Sequence, residues 1–217
     1  MSTYYEPVVP QPEADGPAEF GWPATVPAFW CGQSLFKYLP QYDAVLPRIA
    51  REVGDCRFIF IEFPSGEYVT ELFRKRLDRA FAEFGLRASD FVIVLPRLSE
   101  DRFSAAIARC DIGLDSIGWT GNNSTLEALV RDLPIVTIPG TLMRGRHTMA
   151  ILQMMGVTDT VTETLDDYVS TAVRLAHDVS WRMALRTRIA ERKSRLYRDD
   201  SFIFAFEEFL EQVARRG

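Results

Sequence analysis

A run of small polar residues follows the short apolar segment 112–114 and has the composition of a phosphate-binding turn. Gly121 lets a ligand approach the backbone closely, and Glu127 lies one turn into the helix predicted next. Small hydrogen-bond donors stand between them: Asn122, Asn123, Ser124 and Thr125. Free N–H groups and the positive end of a helix dipole favour phosphate at such a helix start. The segment therefore predicts a phosphate site, with Glu127 suited to accept hydrogen bonds from a ribose.

The same residues also have a purely structural interpretation. The spacing Ser124-x-x-Glu127 fits a capping box, in which two side chains only begin a helix. Two further candidates, Gln33 and Lys37, follow the apolar segment 26–31. The lysine is a point charge suited to a diphosphate, and a surface lysine without a role is the alternative. From the residues alone, both interpretations stay open at each segment.

Short apolar runs alternate with longer amphipathic segments through most of the chain. The runs predict strands at 26–31, 57–61, 91–95, 112–114 and 135–138, with a weaker strand near 160–161. Amphipathic spacing predicts helices at 42–52, 67–84, 102–109, 126–131 and 148–155. This alternation predicts an α/β fold, a Rossmann-like doubly wound parallel sheet flanked by helices. Ligands of such sheets bind outside the C-terminal ends of the strands, where Lys37 and Gly121 are both predicted to lie.

The two ends of the chain differ from this centre. Six prolines and two glycines between residues 7 and 27 predict an extended linker over 1–25, followed by a single Rossmann-like domain over 26–217. The chain ends in three helical patterns at 165–177, 181–197 and 202–215, with Thr164, Ser180 and Ser201 as expected N-caps. Basic residues concentrate in the second pattern and just after it, which predicts a solvated helix face: Arg182, Arg186, Arg188, Arg192, Lys193, Arg195 and Arg198.

Composition excludes several classes of protein. The 217 residues are 47% hydrophobic, as in a globular protein. Their formal charge of −5 disfavours nucleic acid as a partner. No stretch of about 18 apolar residues predicts a membrane span, and the N-terminus lacks the basic-then-apolar order of a signal peptide. Three separated cysteines suit reduced thiols in the cytoplasm, and two histidines without ligand companions predict no metal site. The glycine patterns of dinucleotide-binding and P-loop proteins are also absent from the sequence.

Six short motifs occur in a fixed order. They are YYEP at 4–7, CGQSLFKYLP at 31–40, CDIGLD at 110–115, GNNSTLEAL at 121–129, LPIVTIPG at 133–140 and MRGRH at 143–147. Each motif alone is weakly specific, whereas the ordered set is specific. In this order and spacing the chain resembles the C-terminal half of the O-GlcNAc transferase/SPINDLY family of protein O-glycosyltransferases, most closely its bacterial branch.

The resemblance implies a GT-B glycosyltransferase, in which the sugar nucleotide lies between two Rossmann-like halves and is bound mainly by the C-terminal one. By position, Gln33 and Lys37 would contact the diphosphate, and Lys37 would be the catalytic residue that stabilises the leaving nucleoside diphosphate in place of a metal. The Leu98 backbone would meet the base, and Glu127 the ribose. The phosphates would lie on the turn formed by Gly121, Asn122, Asn123, Ser124 and Thr125. No cofactor is implied beyond the donor, either UDP-GlcNAc or a GDP-sugar.

The resemblance also leads to expectations about the whole protein. The family's N-terminal catalytic half and its tetratricopeptide repeats, which bind the protein acceptor, are expected to lie outside this sequence. We therefore expect a cytoplasmic donor-binding domain, using UDP-GlcNAc for transfer to Ser/Thr and inactive by itself. Two alternatives stay open: another GT-B glycosyltransferase or a sugar-nucleotide epimerase, and a non-catalytic Rossmann-like module that binds a protein through its last helices.

Overall fold

One parallel sheet forms the centre of the molecule. The computed structural model describes Tyr5 and residues 20–216. Within them the strands are β1 (Ala28–Trp30), β2 (Arg57–Ile61), β3 (Val92–Leu95), β4 (Ile112–Leu114) and β5 (Ile135–Val136). All neighbouring strands are parallel, in the order β3-β2-β1-β4-β5. The predicted doubly wound fold is confirmed, because parallel neighbours need crossover connections and helices supply them here.

Helices connect the strands and extend the domain beyond them. They are α1 (Val45–Val53), α2 (Glu67–Glu83), α3 (Glu100–Ala108), α4 (Asn123–Val130), α5 (His147–Met155), α6 (Leu165–His177), α7 (Val179–Arg192) and α8 (Ser201–Arg216). Short 3-10 turns include Leu35–Lys37 and Met143–Gly145. In the described part of the chain, no helix combines the length and the apolar character needed to cross a membrane.

Most boundaries agree with the sequence, and two deviations have a local cause. β5 ends at Val136 rather than at 138, and Thr137 forms only an isolated bridge with Val161, where the weak strand was predicted. Pro139, two residues beyond Thr137, has no N–H to donate to a ladder. α1 begins at Val45 rather than at 42, which places Pro47 in the first turn, where the N–H groups of a helix have no internal partner.

The strand order creates a crevice beside β1. Successive strands extend from β1 through β2 to β3 on one side, whereas β4 and β5 lie on the other side. At such a switch point the loops that follow the two central strands diverge, and ligands of doubly wound sheets bind there. The loop after β1 contains Gln33 and Lys37, and the loop after β4 contains Gly121. The topology therefore brings the two sequence-predicted segments to one edge of the sheet.

Aromatic residues on the strands and on α2 form much of the core. Phe29 and Phe58 are fully buried and stack with their ring centroids 5.1 Å apart, and Phe81 of α2 packs on Phe58. Phe20 and Trp22 are also buried, although both lie inside the predicted linker. The packed part of the chain therefore includes residues ahead of 26, while residues 1–4 and 6–19 of the predicted linker lie outside the described residues.

The arginines of α7 do not form the solvated face that the sequence predicted. Arg182 donates to the Leu175 carbonyl at 2.6 Å, and Arg186 donates to the Arg131 carbonyl at 3.1 Å. Lys193, just after the helix, donates to the Val130 carbonyl at 2.7 Å. Residues at the ends of helices leave carbonyls without intrahelical partners, and cations satisfy them well. The basic run therefore docks α7 onto the domain.

Two of the three predicted N-caps are wrong. Thr164 does cap α6, through a reciprocal capping box with Asp167. α7 instead begins after Asp178, whose carboxylate accepts from the Trp181 N–H at 2.9 Å, so that Ser180 lies inside the first turn. Ser201 is the first residue of α8, and its N–H donates to Asp199.

Candidate functional site

Two loops are joined by hydrogen bonds through Gln33. Its side-chain Nε2 donates to Ser124 Oγ at 2.5 Å, and its Oε1 accepts from Lys37 Nζ at 2.9 Å. The Gln33 backbone N–H donates to the Tyr38 hydroxyl at 3.2 Å. Gln33 is buried, with 8% of its surface exposed. The amide thus holds the lysine ammonium of the first loop beside the start of α4.

Gly121 lies where these loops pack tightly against each other. A Cβ atom at this position would lie 2.4 Å from Gln33 Nε2 and 2.4 Å from Thr125 Oγ1. Real Cβ atoms do not approach other heavy atoms so closely, and both neighbours are held by hydrogen bonds. The glycine is therefore required by the packing of the site.

The beginning of α4 is not a capping box. Its N-cap is Asn122, no side chain caps it, and Ser124 lies within the first turn. Ser124 Oγ accepts from Gln33 instead. The Asn122 Oδ1 atom is buried without a hydrogen-bond partner. The structural alternative for Ser124 and Glu127 is thus wrong, and the helix start remains available for an anion.

A buried carboxylate, Asp115, holds the loop that leads to α4. Its Oδ1 accepts from the Gly121 N–H at 2.8 Å, and its Oδ2 accepts from the Thr137 hydroxyl at 2.8 Å. Burial raises the pKa of Asp115 to about 6, although these hydrogen bonds act in the opposite direction. Burial lowers the pKa of Lys37, and the Asp115 charge opposes that shift. Asp115 therefore ties the Gly121 loop to Thr137, the residue that follows β5.

A second cleft lies further along α4. It has a volume of about 330 Å³, and its lining includes Leu98, Glu100, Glu127 and Tyr5. Burial raises the pKa of Glu127, and the nearby Glu100 charge adds to the shift. Glu127 and Leu98 thus line one cleft. Gln33, which holds Lys37, contacts α4 one turn earlier, at Ser124. A ligand extended along α4 would reach both groups.

An exposed aromatic ring stands next to the lysine. Trp119, 39% exposed, has Lys37 Nζ 5.8 Å and the Arg144 guanidinium carbon 5.5 Å from its ring centroid. Phe36 meets the Trp119 ring edge-on at 5.6 Å. Sequence reasoning missed Asp115, Trp119 and Arg144 as site residues. The signal available for Asp115 was a carboxylate directly after a buried strand, and for Trp119 a large aromatic ring in an otherwise polar loop.

Side chains that bind metal ions do not cluster in the described part of the chain. Among the described residues, His, Cys, Asp and Glu side chains are not grouped in threes that could hold a metal ion. Beside the turn at Gly121 lies the ammonium of Lys37, held by Gln33. Independence from metal stays a prediction.

Known proteins share both the sequence and the fold. The model of glycosyl transferase family 41 matches residues 20–212. The chain is 29% identical over 159 residues to the probable UDP-N-acetylglucosamine–peptide N-acetylglucosaminyltransferase SPINDLY of Hordeum vulgare, which covers 73% of this chain and 16% of that protein. This chain therefore spans less than a fifth of the barley relative.

Solved structures give the same picture. An O-GlcNAc transferase of Thermobaculum terrenum superimposes with a TM-score of 0.73 at 25% identity, covering 93% of this chain and 38% of that one. A sucrose-phosphate synthase of Thermosynechococcus elongatus superimposes with a TM-score of 0.64 at 14% identity, covering 96% of this chain and 50% of that one, which shows a shared fold alone.

The fold and its structural neighbours define a Rossmann-like α/β domain of the GT-B glycosyltransferase type. Because a single family model covers most of its length, the chain belongs to glycosyl transferase family 41.

Proposed function

We propose that this chain is the nucleotide-sugar-binding domain of a protein O-glycosyltransferase. One observation carries the proposal: the Lys37 ammonium, held by Gln33, lies beside the uncapped start of α4 at Gly121. Backbone N–H groups, a helix dipole and a cation at one point are suited to a diphosphate. The second cleft, lined by Glu127 and Leu98, would receive the ribose and the base.

The transfer would be supported electrostatically. The bond from the anomeric carbon of the sugar to the β-phosphate oxygen breaks, and its electron pair leaves with the nucleoside diphosphate. The acceptor hydroxyl oxygen bonds to that carbon and gives its proton to a base. Lys37 would stabilise the charge that develops on the diphosphate, the role that a preorganised cation serves in a site shielded from water.

We propose UDP-GlcNAc as the donor and Ser/Thr side chains of proteins as the acceptors. The name of the barley relative, which specifies UDP-N-acetylglucosamine and a peptide acceptor, supports this choice. The likeness to the Thermobaculum terrenum enzyme supports a place in the bacterial branch. The proposal also includes a cytoplasmic location, and transfer that requires regions of the longer relatives beyond the stretch matched here.

The experiment is a calorimetric titration of UDP, GDP and ADP into the chain. We expect saturable binding of UDP, weakened at least tenfold by Lys37→Ala, which is about 1.4 kcal/mol. Lys75→Ala is the matched control, because Lys75 is an exposed lysine on α2, and it should leave the affinity unchanged.

Other outcomes have defined meanings. Preferential binding of GDP would replace the proposed donor with a GDP-sugar. No binding of any nucleoside diphosphate, or binding indifferent to Lys37→Ala, would overturn the proposed site and favour a module that binds proteins.

A further inference from the structure

Two cations share the exposed ring of Trp119 at the mouth of the phosphate turn. Lys37 belongs to the loop after β1, and Arg144 belongs to the 3-10 turn after β5. Both lie within the distance of about 6 Å that defines a cation–π contact, at 5.8 and 5.5 Å from the ring centroid. The ring thus contacts two positive charges from loops that are distant in sequence.

The backbone of Arg144 is fixed to the phosphate loop. Its carbonyl accepts from both the N–H and the hydroxyl of Thr120, at 2.9 and 3.1 Å. A Cβ atom on the next residue, Gly145, would lie 3.2 Å from the Gly118 carbonyl oxygen, so the two loops are in close contact. Thr120 immediately precedes Gly121. The arginine is therefore anchored one residue away from the glycine of the turn.

The positive charge of this pair is not cancelled locally. The ion pairs found among the described residues include neither Lys37 nor Arg144, and the Arg144 side chain is exposed. The carboxylate that acts on the Lys37 charge is the buried Asp115, which accepts hydrogen bonds from Gly121 and Thr137. Two like charges brought together at an exposed edge of the sheet favour an anion between or beside them.

From this geometry we infer that Arg144 is a second cation for the diphosphate of the donor, positioned by Trp119. The inference rests on the proposed function and adds a binding residue to it. A guanidinium presents several N–H donors in a fixed fork and matches two phosphate oxygens, whereas an ammonium acts as a point charge. Stacking on Trp119 reduces the freedom of the arginine before the ligand arrives, which lowers the entropic cost of binding.

The test compares nucleoside diphosphate with nucleoside monophosphate. Titrations of UDP and UMP into the wild type and Arg144→Gln give the ratio of the two affinities, which isolates the contribution of the second phosphate. We expect Arg144→Gln to weaken UDP binding about fivefold, equivalent to about 1 kcal/mol, and to lower the UDP/UMP ratio. A role confined to stacking on Trp119 would not change that ratio.

Arg146→Gln is the matched control, because this exposed arginine lies two residues away and, among the described contacts, only Lys37 and Arg144 stack on Trp119. It removes the same charge and should leave the ratio intact. Trp119→Leu should reproduce part of the loss, since it frees the guanidinium.

The outcomes separate the two proposals. An unchanged UDP/UMP ratio in Arg144→Gln, together with normal weakening by Lys37→Ala, would overturn this inference and leave the proposed function standing. Equal losses in Arg144→Gln and Arg146→Gln would also overturn it, because they indicate a general charge effect. No binding of nucleoside diphosphate by the wild type would overturn both.

Discussion

At the scale of single residues, the site is built around a point where a side chain is not tolerated. The loops that follow β1 and β4 meet at Gly121, and the Asp115 carboxylate accepts a hydrogen bond from the Gly121 N–H. Gln33 and Ser124, 91 residues apart in the sequence, are joined there by one hydrogen bond. Small changes at these positions should consequently affect both stability and nucleotide binding.

Gly121→Ala tests the close approach. The added methyl group would overlap Gln33 Nε2 and Thr125 Oγ1, so the two loops must separate. We expect a loss of about 1–3 kcal/mol in the free energy of unfolding and a marked loss of nucleotide affinity, measured by urea denaturation and by titration calorimetry. Gly66→Ala is the control, because a Cβ atom at Gly66 meets open space. Equal behaviour of the two variants would contradict the packing described.

Asp115 gives a pH dependence with a defined sign. Burial raises its pKa in the folded chain to about 6 from 3.8, so the folded state binds this proton more tightly than the unfolded state does. The stability that this carboxyl contributes is fully present below about pH 4 and is lost as the pH rises through about 6, a change on the order of 3 kcal/mol.

Asp115→Asn isolates this effect. The free energy of unfolding, measured by urea denaturation from pH 4 to pH 7 for both proteins, should show the wild type losing stability relative to the variant as the pH rises. A difference that is independent of pH would show that the carboxyl titrates normally.

At the scale of elements, the ends of the helices are set by side chains that the sequence pattern identifies only in part. Thr164 caps α6 as predicted, and it also forms reciprocal bonds with Asp167. α7, by contrast, is capped by Asp178, two residues before the predicted cap. Asp, Ser and Thr are all good N-caps, and the choice depends on where the preceding helix α6 ends, which propensity alone does not fix.

The caps of α7 provide a direct comparison. Asp178→Ala should lower the free energy of unfolding by about 1 kcal/mol, since the Trp181 N–H loses its acceptor. Ser180→Ala, within the first turn and exposed, should change it by less than about 0.5 kcal/mol. Thermal and urea denaturation of both variants measure this, and a larger effect at Ser180 would reverse the assignment.

At the scale of the whole molecule, the last helix presents apolar surface to solvent. Phe204, Phe206 and Phe209 of α8 are 57–66% exposed, and Val213 on the same helix is half exposed. Large exposed apolar side chains clustered on one helix are typical of a surface that contacts another protein. The barley relative is several times longer than the stretch matched here.

The isolated chain should therefore self-associate through α8. Sedimentation or gel filtration at two protein concentrations should show a mass that rises with concentration, because association removes apolar surface from water. The double substitution of Phe206 and Phe209 by Ser should give a monomer, whereas Glu207→Ser, a polar change on the same helix, should not. A monomer at both concentrations would count against this interpretation of the surface.

Local patterns in the sequence were sufficient to predict the architecture and to name some candidate residues of the site. The alternation of β-branched runs with amphipathic segments determines a doubly wound parallel sheet, because periodicity is a local property. Gly121 followed by small polar residues, together with Gln33 and Lys37, could be named as candidates from short local segments, although a structural interpretation stayed open at both. Strand boundaries agreed to within a few residues. β5 ends ahead of Pro139, and the late start of helix α1 places Pro47 in its first turn, where the missing N–H of proline costs nothing.

The tertiary structure alone decided which of these residues meet and what supports them. The order of the strands places the loops after β1, β4 and β5 at one edge, and this order is not written in any short segment. Only the folded chain therefore shows that Ser124 accepts from the Gln33 amide rather than capping α4. The fold also buries Asp115 against the Gly121 N–H and brings Arg144 to the ring of Trp119. These contacts depend on burial and on long-range packing, which local spacing does not encode.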